Sequence, residues 1–75
     1  MIPKYYRAEI STSDKCWPIV VKHFPGNRHC TTIYFKDDND CFLRREVMSH
    51  LYIEYGKEIE KEVYEHLLNK VLKVL

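Results

Sequence analysis

Seventy-five residues allow one domain and exclude two. At 45% hydrophobic and 31% charged, with only two glycines and three prolines, the chain holds enough apolar material to offset chain entropy, which excludes a disordered segment. A net charge of +1 argues against a strong electrostatic commitment to DNA, to a membrane or to mimicry of DNA.

Residues 4–10 alternate, with Tyr6, Ala8 and Ile10 on one side and Tyr5, Arg7 and Glu9 on the other, the pattern of a half-buried strand. Ser11-Thr12-Ser13-Asp14 reads as a turn. In residues 17–24, Trp17, Ile19 and Val21 share one face, while Val20, Lys22 and Phe24 share the other. Pro18 belongs near the strand start or on an edge, because it cannot donate to a ladder. Pro25-Gly26-Asn27 ends this strand. Residues 31–36 alternate again, Thr31, Ile33 and Phe35 against Thr32, Tyr34 and Lys36. A polar turn over Asp37-Asp38-Asn39-Asp40 then returns the chain through residues 41–46. That segment is read as a fourth strand closing a four-residue hairpin loop, in preference to a helix capped by Asp40.

From Glu46 the pattern is helical. Val47, Leu51, Tyr55, Ile59, Val63, Leu67, Val71 and Leu75 recur at every fourth position. A strict step of four drifts about 40° each time, so one straight rod would wind this stripe away from any single sheet. Gly56 sits where a break would reset the phase, as a C-cap. The spacing therefore predicts one helix over about 46–55 and a second over about 57–74. In the second, Glu58, Glu60 and Glu62 come early and Lys70 and Lys73 late, matching the helix dipole. Together these elements predict a single α+β domain over residues 1–75: a three- to four-stranded antiparallel β-meander over about 4–46, covered on one face by two C-terminal helices.

The chemistry is sparse. Cys16, Cys30 and Cys41 are odd in number and cannot all pair within the chain. With no signal peptide legible behind Met1 and no run approaching a membrane span, the chain reads as cytosolic with reduced thiols. Structural zinc needs closely paired ligands, and Cys16, His23, His29, Cys30 and Cys41 offer no such spacing. No nucleophile elbow or protease signature surrounds a cysteine, and the acidic turn lacks the glycine and terminal glutamate of a calcium loop. These absences point to a protein without cofactor or metal that is not an enzyme.

Two binding readings remain. In the preferred one, the chain is a small non-catalytic regulator or inhibitor that binds another protein, acting through its last helix and one sheet edge, and is itself a homodimer. Tyr64, Val71, Val74 and Leu75 on the helix, with Trp17, Arg28 and Tyr34 on the sheet side, are the expected contacts, since aromatic and arginine side chains dominate interfaces. Size and lack of chemistry link such domains to phage and mobile-element proteins acting on host or defence factors, which is an argument by association. The alternative is a nucleic-acid-binding regulator using a basic rim of Lys22, Arg28, Arg44 and Arg45.

Overall fold

The computed structural model describes residues 2–11, 16–37 and 39–74. It shows a five-stranded antiparallel sheet with a short and a longer helix. The strands are β1 (Lys4–Ser11), β2 (Cys16–His23), β3 (His29–Asp37), β4 (Asp40–Val47) and β5 (Lys57–Glu58); the helices are α1 (His50–Glu54) and α2 (Lys61–Val74). Spatially the strands run β4-β3-β2-β1-β5. The first four form the expected meander. The fifth is an addition to the three or four strands that periodicity predicts.

Each hairpin has a local cause. β1 pairs with β2 from Lys4 opposite His23 to Ser11 opposite Cys16; residues 12–14 of the expected turn lie outside the described residues. Between β2 and β3 the Asn27 amide donates to the Phe24 carbonyl at 3.0 Å, and Gly26 has φ of +90°. Proline followed by a left-handed glycine is the composition of a type II turn. Between β3 and β4, Asp37 opposes Asp40 and the register shifts between Phe35 and Asp37, so the loop is shorter than the four residues expected. The Asp37 carboxylate accepts from the Asn39 amide at 2.8 Å, an Asx turn.

Alternation along the strands makes two apolar faces, and the helices take one each. On the first face Tyr5, Val20 and Ile33 pack beneath Tyr64 and Val71 of α2, with Phe35, Cys41, Ile59, Leu67 and Leu68 around them. On the second, Tyr6, Ile19, Val21, Cys30 and Tyr34 pack with Tyr52 of α1 and with Met48. The expectation of both helices on one face is therefore corrected. The reason is β5: Lys57 and Glu58 pair with Arg7 and Tyr6 along the outer edge of β1, and the chain crosses from one face to the other as it passes.

The helix boundaries move for the same kind of reason. β4 persists to Val47, opposite His29, so the first helix starts at His50 and not at 46. Ser49 caps it, its hydroxyl accepting from the Leu51 amide at 3.2 Å. The second helix starts at Lys61 and not at 57, because residues 57–58 are held in the sheet and the Ile59 amide donates to the Tyr5 carbonyl at 2.9 Å. The stripe at every fourth residue thus passes through four local environments and never forms one rod.

Gly56 does mark the break, although not as a left-handed cap: Tyr55 is the C-cap of α1, and Gly26 is the one described residue with positive φ. Close approach is the constraint. A Cβ at Gly56 would stand 2.0 Å from the Tyr52 carbonyl oxygen and 2.8 Å from that of Arg7. Both are backbone atoms, so the α1–β5 connection would have to open. Gly56→Ala is expected to cost about 2 kcal/mol or more, whereas Gly26→Ala, with open space around it, costs about 1 kcal/mol from φ alone. Urea unfolding midpoints of the two variants check this order.

Candidate interaction surface

α1 is five residues long and covers only part of its face. The remainder, toward the β1–β2 and β3–β4 turns, is an aromatic patch. Tyr34 of β3 and Phe42 of β4 are cross-strand partners, and their rings stack at 4.6 Å with an interplanar angle of 8°. Trp17 of β2 meets Phe42 edge-on at 5.8 Å and Tyr34 at 6.5 Å. Offset stacks and edge contacts of this kind favour a fixed arrangement of the rings. Lys36 places its ammonium 6.0 Å from the centre of the Trp17 ring, a cation–π distance. Ile10 lies opposite Trp17 on β1. From there a groove of about 330 Å³ runs between Ala8 and Ile10 on the sheet and Leu51, Tyr52 and Tyr55 on the α1 side. Leu51 and Tyr55 are exposed around it, Tyr55 by 78%.

A carboxylate fixes this face from below. Glu46 accepts hydrogen bonds from the hydroxyls of Thr32 at 3.1 Å, Tyr34 at 2.9 Å and Tyr52 at 2.6 Å. It also faces the Arg44 guanidinium across a longer 3.7 Å. One acceptor therefore joins β3, β4 and α1. Burial, followed by the hydrogen bond to Glu46 and its charge, pushes Tyr34 up to about 12. The same causes, in the same order, raise Tyr52. Burial is also the leading cause that raises the Cys30 thiol, which lowers its thiolate fraction and its reactivity.

The residues expected to bind a partner divide into four groups. Tyr64 and Val71 are core, 2% and 0% exposed, and the Tyr64 ring packs tilted against Tyr5 at 5.2 Å. They fasten α2 to the sheet and offer no surface to a partner of the folded chain. Val71 fell on the apolar stripe, and a stripe by itself does not say which of its members the sheet will cover. Leu75 and the side chain of Val74 lie outside the described residues. Trp17 and Tyr34 are brought together in the aromatic patch, Tyr34 as its nearly buried floor; Arg28 is exposed in the β2–β3 loop, away from it. Phe42 was missed, yet its even-numbered position places it on the face of Tyr34 once the hairpin register is set.

The basic rim is split. Lys22 and Arg45 flank Thr31 on the α2 side of the sheet, beside a groove of about 200 Å³ that also includes Phe24 and His29. Arg44, adjacent to Arg45 in a strand, faces the opposite side with Glu46. The four cations Lys22, Arg28, Arg44 and Arg45 do not share one surface.

Among the described residues no cluster of three or more His, Cys, Asp or Glu could hold a metal ion, and the three cysteines are free. No described helix is long and apolar enough to cross a membrane. Comparison with protein-family models, curated proteins and solved structures returns no match for this chain.

The Glu46 cluster predicts a pH signature. Unfolded tyrosines ionise at about 10, while burial and Glu46 push folded Tyr34 up to about 12. Its contribution to stability is complete below about pH 10 and is lost as pH rises through about 12. Urea midpoints should fall across that window, and less steeply in Tyr34→Phe; an unchanged slope in the variant would refute the assignment. Glu46→Ala leaves three hydroxyls without their acceptor and should cost about 2–4 kcal/mol at neutral pH, measured the same way.

Proposed function

We propose that this chain is a small non-catalytic domain that binds another protein and modulates it through the open part of the α1 face. The supporting observation is the aromatic patch of Trp17, Tyr34 and Phe42, continuous with the apolar groove under Leu51 and Tyr55. Its rings are held before any partner arrives, so little ordering entropy is spent on binding. Lys36 and Arg44 border it, which favours a partner surface that is apolar at its centre and acidic at its rim. A regulator of host or defence proteins is a use that suits such a domain, by association with its size and sparse chemistry. The contact surface differs from the helix-centred one that periodicity suggests, because the Tyr64 and Val71 side of α2 is occupied by the sheet.

A second reading, single-stranded nucleic acid stacking on the same rings, draws on Lys36 and Arg44 beside aromatics. Against it, Phe42 already stacks on Tyr34, and Lys22 and Arg45 lie on the other side of the sheet.

Affinity capture from lysate with and without nuclease, at low and moderate salt, separates these readings. A protein retained at both salts by the wild type, and bound about 30-fold more weakly by Trp17→Ala, supports a partner contact in which one aromatic contributes about 2 kcal/mol. Recovery of nucleic acid alone, with binding that falls steeply with salt through counterion release, would sink the protein-binding reading.

A further inference from the structure

The sheet ends on two unlike edges. β5 is two residues long, pairs only with Tyr6 and Arg7 and leads into α2, so that edge is short and broken. β4, at the other end, runs eight residues from Asp40 to Val47 without a proline, and no strand of the described chain pairs with its outer side. Long open edges are templates for pairing, and proteins that keep them free usually shorten, kink or charge them. Here the outer strand carries Phe42 and Leu43, each more than a third exposed, on opposite faces.

The order of residues along β4 says what fits it. When two copies of a strand pair antiparallel about a two-fold axis, opposed residues share a face, so the axis falls on a single residue. With the axis on Phe42, the segment Asp40-Cys41-Phe42-Leu43-Arg44 is complementary to itself. Asp40 opposes Arg44 twice, Cys41 opposes Leu43 twice, and the two Phe42 rings meet. Neighbouring registers fail. An axis on Leu43 sets Asp40 against Glu46, and an axis on Arg44 or Arg45 sets an arginine against its own copy; like charges directly opposed are destabilising. An axis on Cys41 sets Asp40 against Phe42 and runs the ladder into the turn. In the single chain Arg44 is 63% exposed and only loosely paired with Glu46, at 3.7 Å, so it is available to a second partner.

We propose that the β4 edge is an interface for a second copy of this chain, paired antiparallel with its register centred on Phe42, so that two five-stranded sheets become one of ten strands. The two aromatic patches then meet at the axis and form one surface. A ladder of about five residues buries far less than the ~1,600 Å² of a standard interface, so association is weak and concentration-dependent. This pairing is separate from the binding of another protein and stands whether or not such a partner exists.

Sedimentation equilibrium from about 10 µM to about 1 mM should show the mass rising from one chain toward two, with amide exchange of residues 40–44 slowing in parallel. Asp40→Arg and Arg44→Asp should each weaken association about tenfold or more, since both paired positions then oppose like charges. Mixing D40R with R44D restores both pairs across a heterodimer, and the D40R/R44D double variant restores them within a homodimer. Circular dichroism confirms that each variant is folded. The proposal is overturned by a wild type that stays a single chain throughout, by a dimer indifferent to both single substitutions, or by a mixture that associates no better than its components.

Discussion

Glu46 accepts three hydroxyl donors from three directions, Thr32 and Tyr34 in the neighbouring strand and Tyr52 in α1. A carboxylate this enclosed is stable only when its lone pairs are met, and here they are met by groups that could not otherwise be buried cheaply. The arrangement holds residue 46 in the sheet where the pattern invited a helix, sets the length of β4, and seats α1. It also orients the Tyr34 ring on which Phe42 stacks and against which Trp17 leans. The aromatic patch is thus a consequence of a polar cluster beneath it.

The second governing constraint is the passage of the chain around the β1 edge. Gly56 allows the Tyr52 and Arg7 carbonyls to approach more closely than any side chain would permit, and β5 follows immediately. That crossing gives each sheet face its own helix. α2 carries Tyr64 and Val71 into the larger core, whereas α1 is too short to cover its side. The incomplete cover leaves an aromatic surface open on one face, and β4 is the longest open edge of the described sheet.

Much of this was legible in advance. Alternation in residues 4–10 and 31–36, and the short β-branched and aromatic run of 17–24 closed by Pro25-Gly26, place the strands and sort the faces within each. The contact of Trp17 with Tyr34 needs in addition the β2–β3 register, which sets Ile19 opposite Tyr34. The site was legible only in part: Phe42 needs the β3–β4 register, and Tyr64 and Val71 look like surface candidates until a sheet is laid against them. The spacing predicts a first helix over about 46–55, of which α1 keeps His50–Glu54; β5 was hidden because the charge pattern around Lys57 and Glu58 suits a helix start, and two residues of strand leave no periodicity to detect.

Composition, alternation and helical spacing by themselves determined an antiparallel meander, a terminal amphipathic helix and a break at residue 56, since each of these rests on local properties of neighbouring residues. Which face each helix covers, where the strand at Glu46 stops, how the cations divide and which aromatic side chains remain exposed were decided only by tertiary structure. Those outcomes depend on contacts between residues far apart in the chain, such as Glu46 with Thr32 and Glu58 with Tyr6, and no local period encodes them.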